Sequence, residues 1–524
     1  VANKSNLVNL DAMIKRADFT LSENERTSFE TFPTIPAREL KSGGAIAALL
    51  RKPDFQRETN HWSPEQVVSL LECYINGDLI PSVILWRSAA NLFVIDGGHR
   101  LSVLRAWVED DYGDALISQR LFGHNISREQ IKSAEKTRAL VNKRVGSWDY
   151  YQKLLSEDGD NLTDTQKIRL STLTSRGISV QWVVGDVDKA ETSFFNINMK
   201  GTPLDDIEEL LLRNRKKSIP IATRAIIRAG KGHRYWSSFS EEKTNTIEEN
   251  AAKLHRLLFE PEFERPIKTL DLPLGGSKGV RTAIQVLKDF LLITDCKQNG
   301  ILPKLENYND DLTGEDTIRI LSKATYLTGR VTGNGDGSLG LHPAIYFYGP
   351  SGVHSTPMFL GTIMLIARHL SNNNRNFFKN FSSIRSRLER LMIEHKDLIA
   401  MIIQKPGSNL RAQKYSLFLD SLISELQKDH IIDELKLISL SGLEGRIISG
   451  DFKKTSQKIN DEQKSKIFIT SALKSAITCP ICNGYIDSVK SVSYDHIIRV
   501  RDGGNGSAEN CQLTHPYCNQ SIKC

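Results

Sequence analysis

Along the first 236 residues, short apolar, β-branched runs alternate with helix-like patterns. SVILW (82–86), LFVID (92–96) and VQWVVG (180–185) read as strands, with helices over 64–77 and from about Arg100. That alternation predicts an α/β or α+β domain. From about 240 to 445 the pattern turns helical. Ile384, Leu388, Leu391, Leu398, Ile402 and Ile403 recur at mostly three- and four-residue spacing, a core-facing stripe. TGNGDGSLG (332–340) and HPAIYFYGPSG (342–352) break it, and residues 449–467 are polar enough for a linker or an exposed helix. The longest apolar run, MFLGTIMLIA (358–367), is about half of what a bilayer crossing needs and predicts a buried helix. The N-terminal stretch lacks the unbroken apolar core of a signal peptide. The expectation is a cytoplasmic protein with no membrane partner.

Composition changes this picture little, and cysteine placement changes it a good deal. The 524 residues suffice for about three to four domains, and 40% apolar with 25% charged residues is ordinary for a globular chain. Cys73 and Cys296 stand alone, whereas Cys479, Cys482, Cys511, Cys518 and Cys524 crowd the C-terminus. In a reducing compartment such crowding points to metal. The net charge of +7 permits a polyanionic partner. Two basic stretches, 211–234 and 371–416, could neutralise DNA phosphates, although solvated helix faces look the same.

CPIC (479–482) is answered by HPYC (515–518). Two ligand pairs, each separated by two residues, can place four donors tetrahedrally around zinc. Cys479, Cys482, His515 and Cys518 would fill a closed structural site; Cys511 or Cys524 in place of His515 is the alternative. Between the pairs lies YDHIIRVRDGGNGSAEN (494–510), and Asn519 follows the last zinc cysteine. This segment resembles an HNH endonuclease, the ββα-metal fold, in its zinc-stapled variant. The resemblance implies that Asp495 and Asn519 hold one catalytic Mg²⁺ or Mn²⁺, that His496 is the general base, and that Asn510 braces the loop. His515 stands where the family more commonly has cysteine.

LFVIDGGHRLSVLRAW (92–107) is a strand, a glycine turn and a helix start, an arrangement that presents free backbone N–H groups to an anion. With Gln56-Arg57 before it and FFNINMKGTPLDDIEEL (194–210) after it, the region resembles the ParB/sulfiredoxin-like nucleotidase domain of GmrSD-type modification-dependent restriction enzymes and SspE-type phage-defence proteins. The resemblance covers about residues 30–215. It implies nucleoside-triphosphate binding by Arg57, Asp96, Gly97, Gly98, His99, Arg100 and Asn198. His99 replaces the family's usual glutamine, and no P-loop pattern is present.

The expected architecture is multidomain α+β. A ParB/sulfiredoxin-like α/β domain (1–235) precedes a helical domain (236–445), a linker (446–470) and an HNH module with structural zinc (471–524). The expected function is a restriction or phage-defence DNA endonuclease with a one-metal HNH mechanism, regulated by nucleotide or by DNA modification. DNA, modified or not, and a nucleotide are the expected partners, with a second copy of the chain a further candidate. The alternative is a nucleotide-switched DNA-binding protein whose zinc knuckle only binds.

Overall fold

The computed structural model describes residues 7–17, 31–53, 56, 59, 60, 62–88, 90–123, 126–156, 162–186, 189, 190, 193, 194, 197, 206–231, 236, 239–276, 280–296, 302–447 and 459–523. They form two compact units, residues 1–215 with 231–235, and residues 216–230 with 236–524.

The first unit is built on a mixed six-stranded sheet. Its strands are β1 (Arg16–Ala17), β2 (Thr34–Pro36), β3 (Leu50–Pro53), β4 (Val83–Arg87), β5 (Leu92–Asp96) and β6 (Gly177–Val183), in the order β1-β3-β5-β4-β6-β2. β3 and β5 run parallel, β5 pairs antiparallel with β4, and β4 runs parallel to β6. Helix α1 (Pro64–Asn76) begins with a reciprocal Ser63–Gln66 capping box and proline at its first position, and ends at Gly77 in the left-handed region. It buries Val67, Val68, Leu71, Tyr74 and Ile75, worth roughly 1.5–3 kcal/mol for each large apolar side chain. Helix α2 (Gly98–Glu109) follows β5 after a single glycine and buries Leu101, Val103, Leu104 and Trp107. Helices α3 (Arg128–Arg144) and α4 (Asp164–Ser175) each pack against α1.

The second unit is helical until its last residues. Its longer helices are α5 (Ser218–Ile227), α6 (Glu241–Phe259), α7 (Val280–Thr294), α8 (Glu315–Val331), α9 (Thr356–Ser371), α10 (Arg375–Glu394), α11 (Arg411–Gln427) and α12 (Asp461–Lys474). Residues 216–230, assigned to the first domain from sequence, fall in this unit. α5 buries Ile219, Ile221, Ala222, Ala225 and Ile226 and packs on α6, α7 and α8. The long apolar run lies within α9, which packs along α11. No described helix is long and apolar enough to cross a membrane.

Residues 461–470 of the expected linker are the first turns of α12. An Asn460–Gln463 capping box starts that helix, and Ser465, Ile469 and Leu473, four residues apart, make a buried stripe. Ser465 Oγ accepts the Ile267 N–H at 3.0 Å, so the segment is packed. The chain closes with the antiparallel pair β7 (Ser493–His496) and β8 (Cys511–Thr514), followed by a five-residue helical turn over Cys518–Ile522.

Candidate functional site

The four expected metal ligands come together. Ligand atoms of Cys479, Cys482, His515 and Cys518 all lie within 4.8 Å of one another, and all four residues are buried. A tight turn starts the knuckle: Asn483 N–H donates to Cys479 O, and Cys479 N–H to Gly484 O. His515 Nδ1 lies 3.3 Å from Cys482 Sγ and 3.9 Å from Cys518 Sγ. Cys511 is exposed on β8, away from the quartet, and Cys524 lies outside the described residues.

Crowding controls the charge of this cluster. Hydrogen bonds from Cys482 and Cys518 hold the Cys479 thiol far below the ordinary thiol range. The same bonds, with burial adding, push Cys482 up to about 11 and Cys518 upward as well. Three thiolates and an imidazole need a divalent ion between them, so the donor set fits zinc.

The second half of the module is a hairpin whose register pairs Asp495 with Gln512 and His496 with Cys511. Asp495 is 8% exposed, whereas His496 is exposed. Gln512 Nε2 donates to Asp495 Oδ2 at 2.8 Å, and Lys523 Nζ donates to the same oxygen at 2.7 Å. The Lys523 ammonium also caps the carbonyls of His496 and Ile497. No described donor bonds Asp495 Oδ1. Asn519 Nδ2 donates to Ser493 Oγ at 2.8 Å and to Tyr494 O at 3.2 Å, which ties it to β7 on the N-terminal side of Asp495.

The loop after His496 is pinned by Asn510. Its Oδ1 accepts the Ile498 N–H at 2.7 Å, and its Nδ2 donates to Ile498 O and Asn505 O. Gly504 lies in the same knot: a Cβ there would sit 1.8 Å from Ile498 O and 2.9 Å from Asn510 Nδ2. No other residue fits without opening the loop.

In the first unit, β5 ends at Asp96, Gly97 turns with φ +91°, and α2 begins at Gly98 with no side chain capping it. The first N–H groups of such a helix have no intrahelical acceptor and favour an anion. Arg100 Nη2 donates to Asp96 Oδ2 at 2.7 Å and to Ser82 O at 3.2 Å. His99 stacks on Trp62 with ring centroids 5.6 Å apart. The Gln56 side chain would be 3.5 Å from a Cβ at Gly98, and its buried Oε1 has no partner among the described residues. Asp96, Gly97, Gly98, His99, Arg100 and Gln56 are therefore neighbours. Arg57 and Asn198 lie outside the described residues.

Sequence reasoning missed two groups. Lys52, 0% exposed, donates to Asp11 Oδ1 and Thr59 Oγ1, and Arg16 pairs with Asp11 and bonds Gln56 O. In the basic stretch 371–416, Arg385 is 1% exposed and cannot meet DNA. Its burial was legible: Phe381, Ile384, Arg385, Leu388, Glu389 and Met392 share one helical face.

Two family models match parts of the chain, the N-terminal domain of the GmrSD restriction endonuclease over residues 39–215 and the HNH endonuclease over 479–523. No curated protein and no solved structure matches the chain significantly. The strand–turn–helix with its Asp-Gly-Gly-His-Arg segment lies inside the first match, and the Cys₃His cluster with Asp495, His496 and Asn519 inside the second. By these matches, residues 39–215 are similar to the N-terminal domain of the GmrSD restriction endonuclease and residues 479–523 to an HNH endonuclease.

Proposed function

We propose that this chain is a DNA endonuclease whose HNH module hydrolyses phosphodiester bonds with one divalent ion, under control of a nucleotide- or modification-sensing N-terminal domain. The observation that carries the nuclease reading is the state of Asp495. Two donors clamp one carboxylate oxygen, which leaves Oδ1 for a metal that needs few protein ligands. Asp495 and Asn519 would hold Mg²⁺ or Mn²⁺, and such an ion neutralises the scissile phosphate and the departing 3′-oxygen. His496, exposed at the end of β7, takes the proton of the attacking water. Asn510 keeps the loop after His496 in one conformation, and Lys523 holds the His496 carbonyl. The zinc quartet staples a module too small to bury an adequate core of its own. The products expected are 5′-phosphates.

The uncapped start of α2 supports a phosphate site in the N-terminal domain, with Gln56 and His99 beside it. A nucleoside triphosphate is the ligand we assign there.

His496→Ala tests the nuclease reading. The general base acts only in the transition state, so cleavage of plasmid in Mg²⁺ should fall by roughly 10²–10⁴ while zinc content and DNA affinity stay at wild-type levels. Undiminished cleavage by the variant would return the module to a zinc knuckle that only binds DNA.

A further inference from the structure

The only buried ion pair on α10 reaches the zinc knuckle among the described residues. Arg385 and Glu389, one helical turn apart, are 1% and 0% exposed, and Arg385 Nε donates to Glu389 Oε1 at 2.7 Å. Tyr346 Oη donates to the same oxygen at 3.0 Å. Arg385 also caps the carbonyls of Leu339 and Gly340. Removing two charges from water is expensive, and a buried pair is a poor way to gain stability. What this pair does accomplish is to grip one backbone unit.

That unit is Tyr485, three residues beyond Cys482. Its N–H donates to Glu389 Oε2 at 2.7 Å, and its carbonyl accepts from Arg385 Nη2 at 3.4 Å. The approach is close enough that a Cβ on Gly484 would sit 2.7 Å from Arg385 Cδ. The same carbonyl lies 2.9 Å from His515 Nε2. A carbonyl can only accept, so Nε2 carries the proton and Nδ1 presents its lone pair towards Cys482 and Cys518. His515 O in turn accepts the Asn519 N–H at 3.0 Å.

We propose that Arg385 and Glu389 are positioning residues of the zinc centre: by holding Tyr485 at both backbone groups, they aim the carbonyl that fixes His515 in its metal-binding tautomer. The inference rests on reading the Cys₃His quartet as a zinc site. It makes the helical layer part of the metal centre, and through His515 and Cys518 it connects α10 to the turn that carries Asn519.

The test is a mutant cycle on the full chain, read as zinc affinity in competition with a chromophoric chelator. Arg385→Met/Glu389→Met keeps the volume of the buried face and removes the grip on Tyr485. It should lower zinc affinity by about 10–100-fold, the usual effect of losing an outer partner of a ligand. In a His515→Cys background the ligand no longer uses the Tyr485 carbonyl, so the same double change should leave zinc affinity unaltered. Equal losses in both backgrounds would mean that the pair only docks the module, which overturns the proposal, as would no loss with His515 present. A second measurement needs no variant: selective ¹⁵N labelling of histidine should show His515 protonated at Nε2 in wild type, and protonation at Nδ1 overturns the proposal. Wild-type protein that holds no zinc would fail the underlying zinc reading instead, and none of these readouts depends on cleavage.

Discussion

Asp495 shows how much a single carboxylate depends on residues that sequence order does not join to it. Its partner Gln512 comes from the opposite strand, and Lys523 from the last turn of the chain. From sequence, Asp495 and His496 stand out because they lie in the segment that resembles an HNH motif, and Asn510 from the same segment does brace the following loop. No sequence motif singles out Lys523. Its ammonium lies among three oxygens, of Asp495, His496 and Ile497. Nothing periodic announces such a contact, since it depends on where a final helical turn closes. Lys523→Met should lower cleavage by about 10–100-fold with zinc content unchanged, because the carboxylate loses one of two donors that orient it. Excess Mg²⁺ should not restore the rate, since the defect is one of orientation. Full recovery at high Mg²⁺, or no loss at all, would remove Lys523 from the positioning of Asp495.

Elements were read well where local pattern decides them. The strand LFVID matches β5 residue for residue, the predicted helix over 64–77 matches α1 within a residue, and the strand at 82–86 is displaced by one. The polar stretch before the HNH module was harder. Its few apolar residues look like a linker until Ile469 and Leu473 find a partner surface, and that surface lies elsewhere in the chain. The β5–α2 turn raises a sharper question, because Arg100 has two descriptions. As a phosphate ligand it would donate to nucleotide; in the structure its Nη2 bonds Asp96 and Ser82, closing the turn on itself. Both roles predict loss on truncation. Arg100→Ala removes a charge-assisted contact worth ~1.5–3 kcal/mol, so nucleotide affinity by calorimetry should fall at least about tenfold. Arg100→Lys separates the two roles: a point charge can reach phosphate but cannot reproduce the planar guanidinium bridge from Asp96 to Ser82. Equal binding by wild type and Arg100→Ala would show that the turn carries no nucleotide.

At the scale of the whole molecule, the second unit joins a helical layer and a Cys₃His knuckle around buried polar groups, and that union has a pH signature. His342 is 2% exposed, and burial, reinforced by Lys396, Arg385 and Lys490, depresses it from the ordinary 6.5 to about 3. Its neutral state is structural, because Nδ1 accepts the Ala344 N–H at 3.3 Å and a protonated ring could not. His354, which bonds Leu274 O through Nε2, is depressed to about 4, chiefly by burial. In the unfolded chain both rings take up a proton near 6.5, while in the folded chain they resist it until about 3 and about 4. The unfolded state therefore binds more protons throughout that window, and folding stability must fall as the pH drops from about 6.5. Above 6.5 the contribution is complete. Calorimetric unfolding of the full chain should show a transition that moves to lower temperature between pH 7.5 and pH 5. His342→Gln keeps an oxygen to accept the Ala344 N–H and removes one titrating group, so the shift should shrink even if the variant is less stable at pH 7.5. A variant that retains the full wild-type shift would mean that His342 titrates alike in the folded and unfolded chain, and the pH response would then lie with other groups.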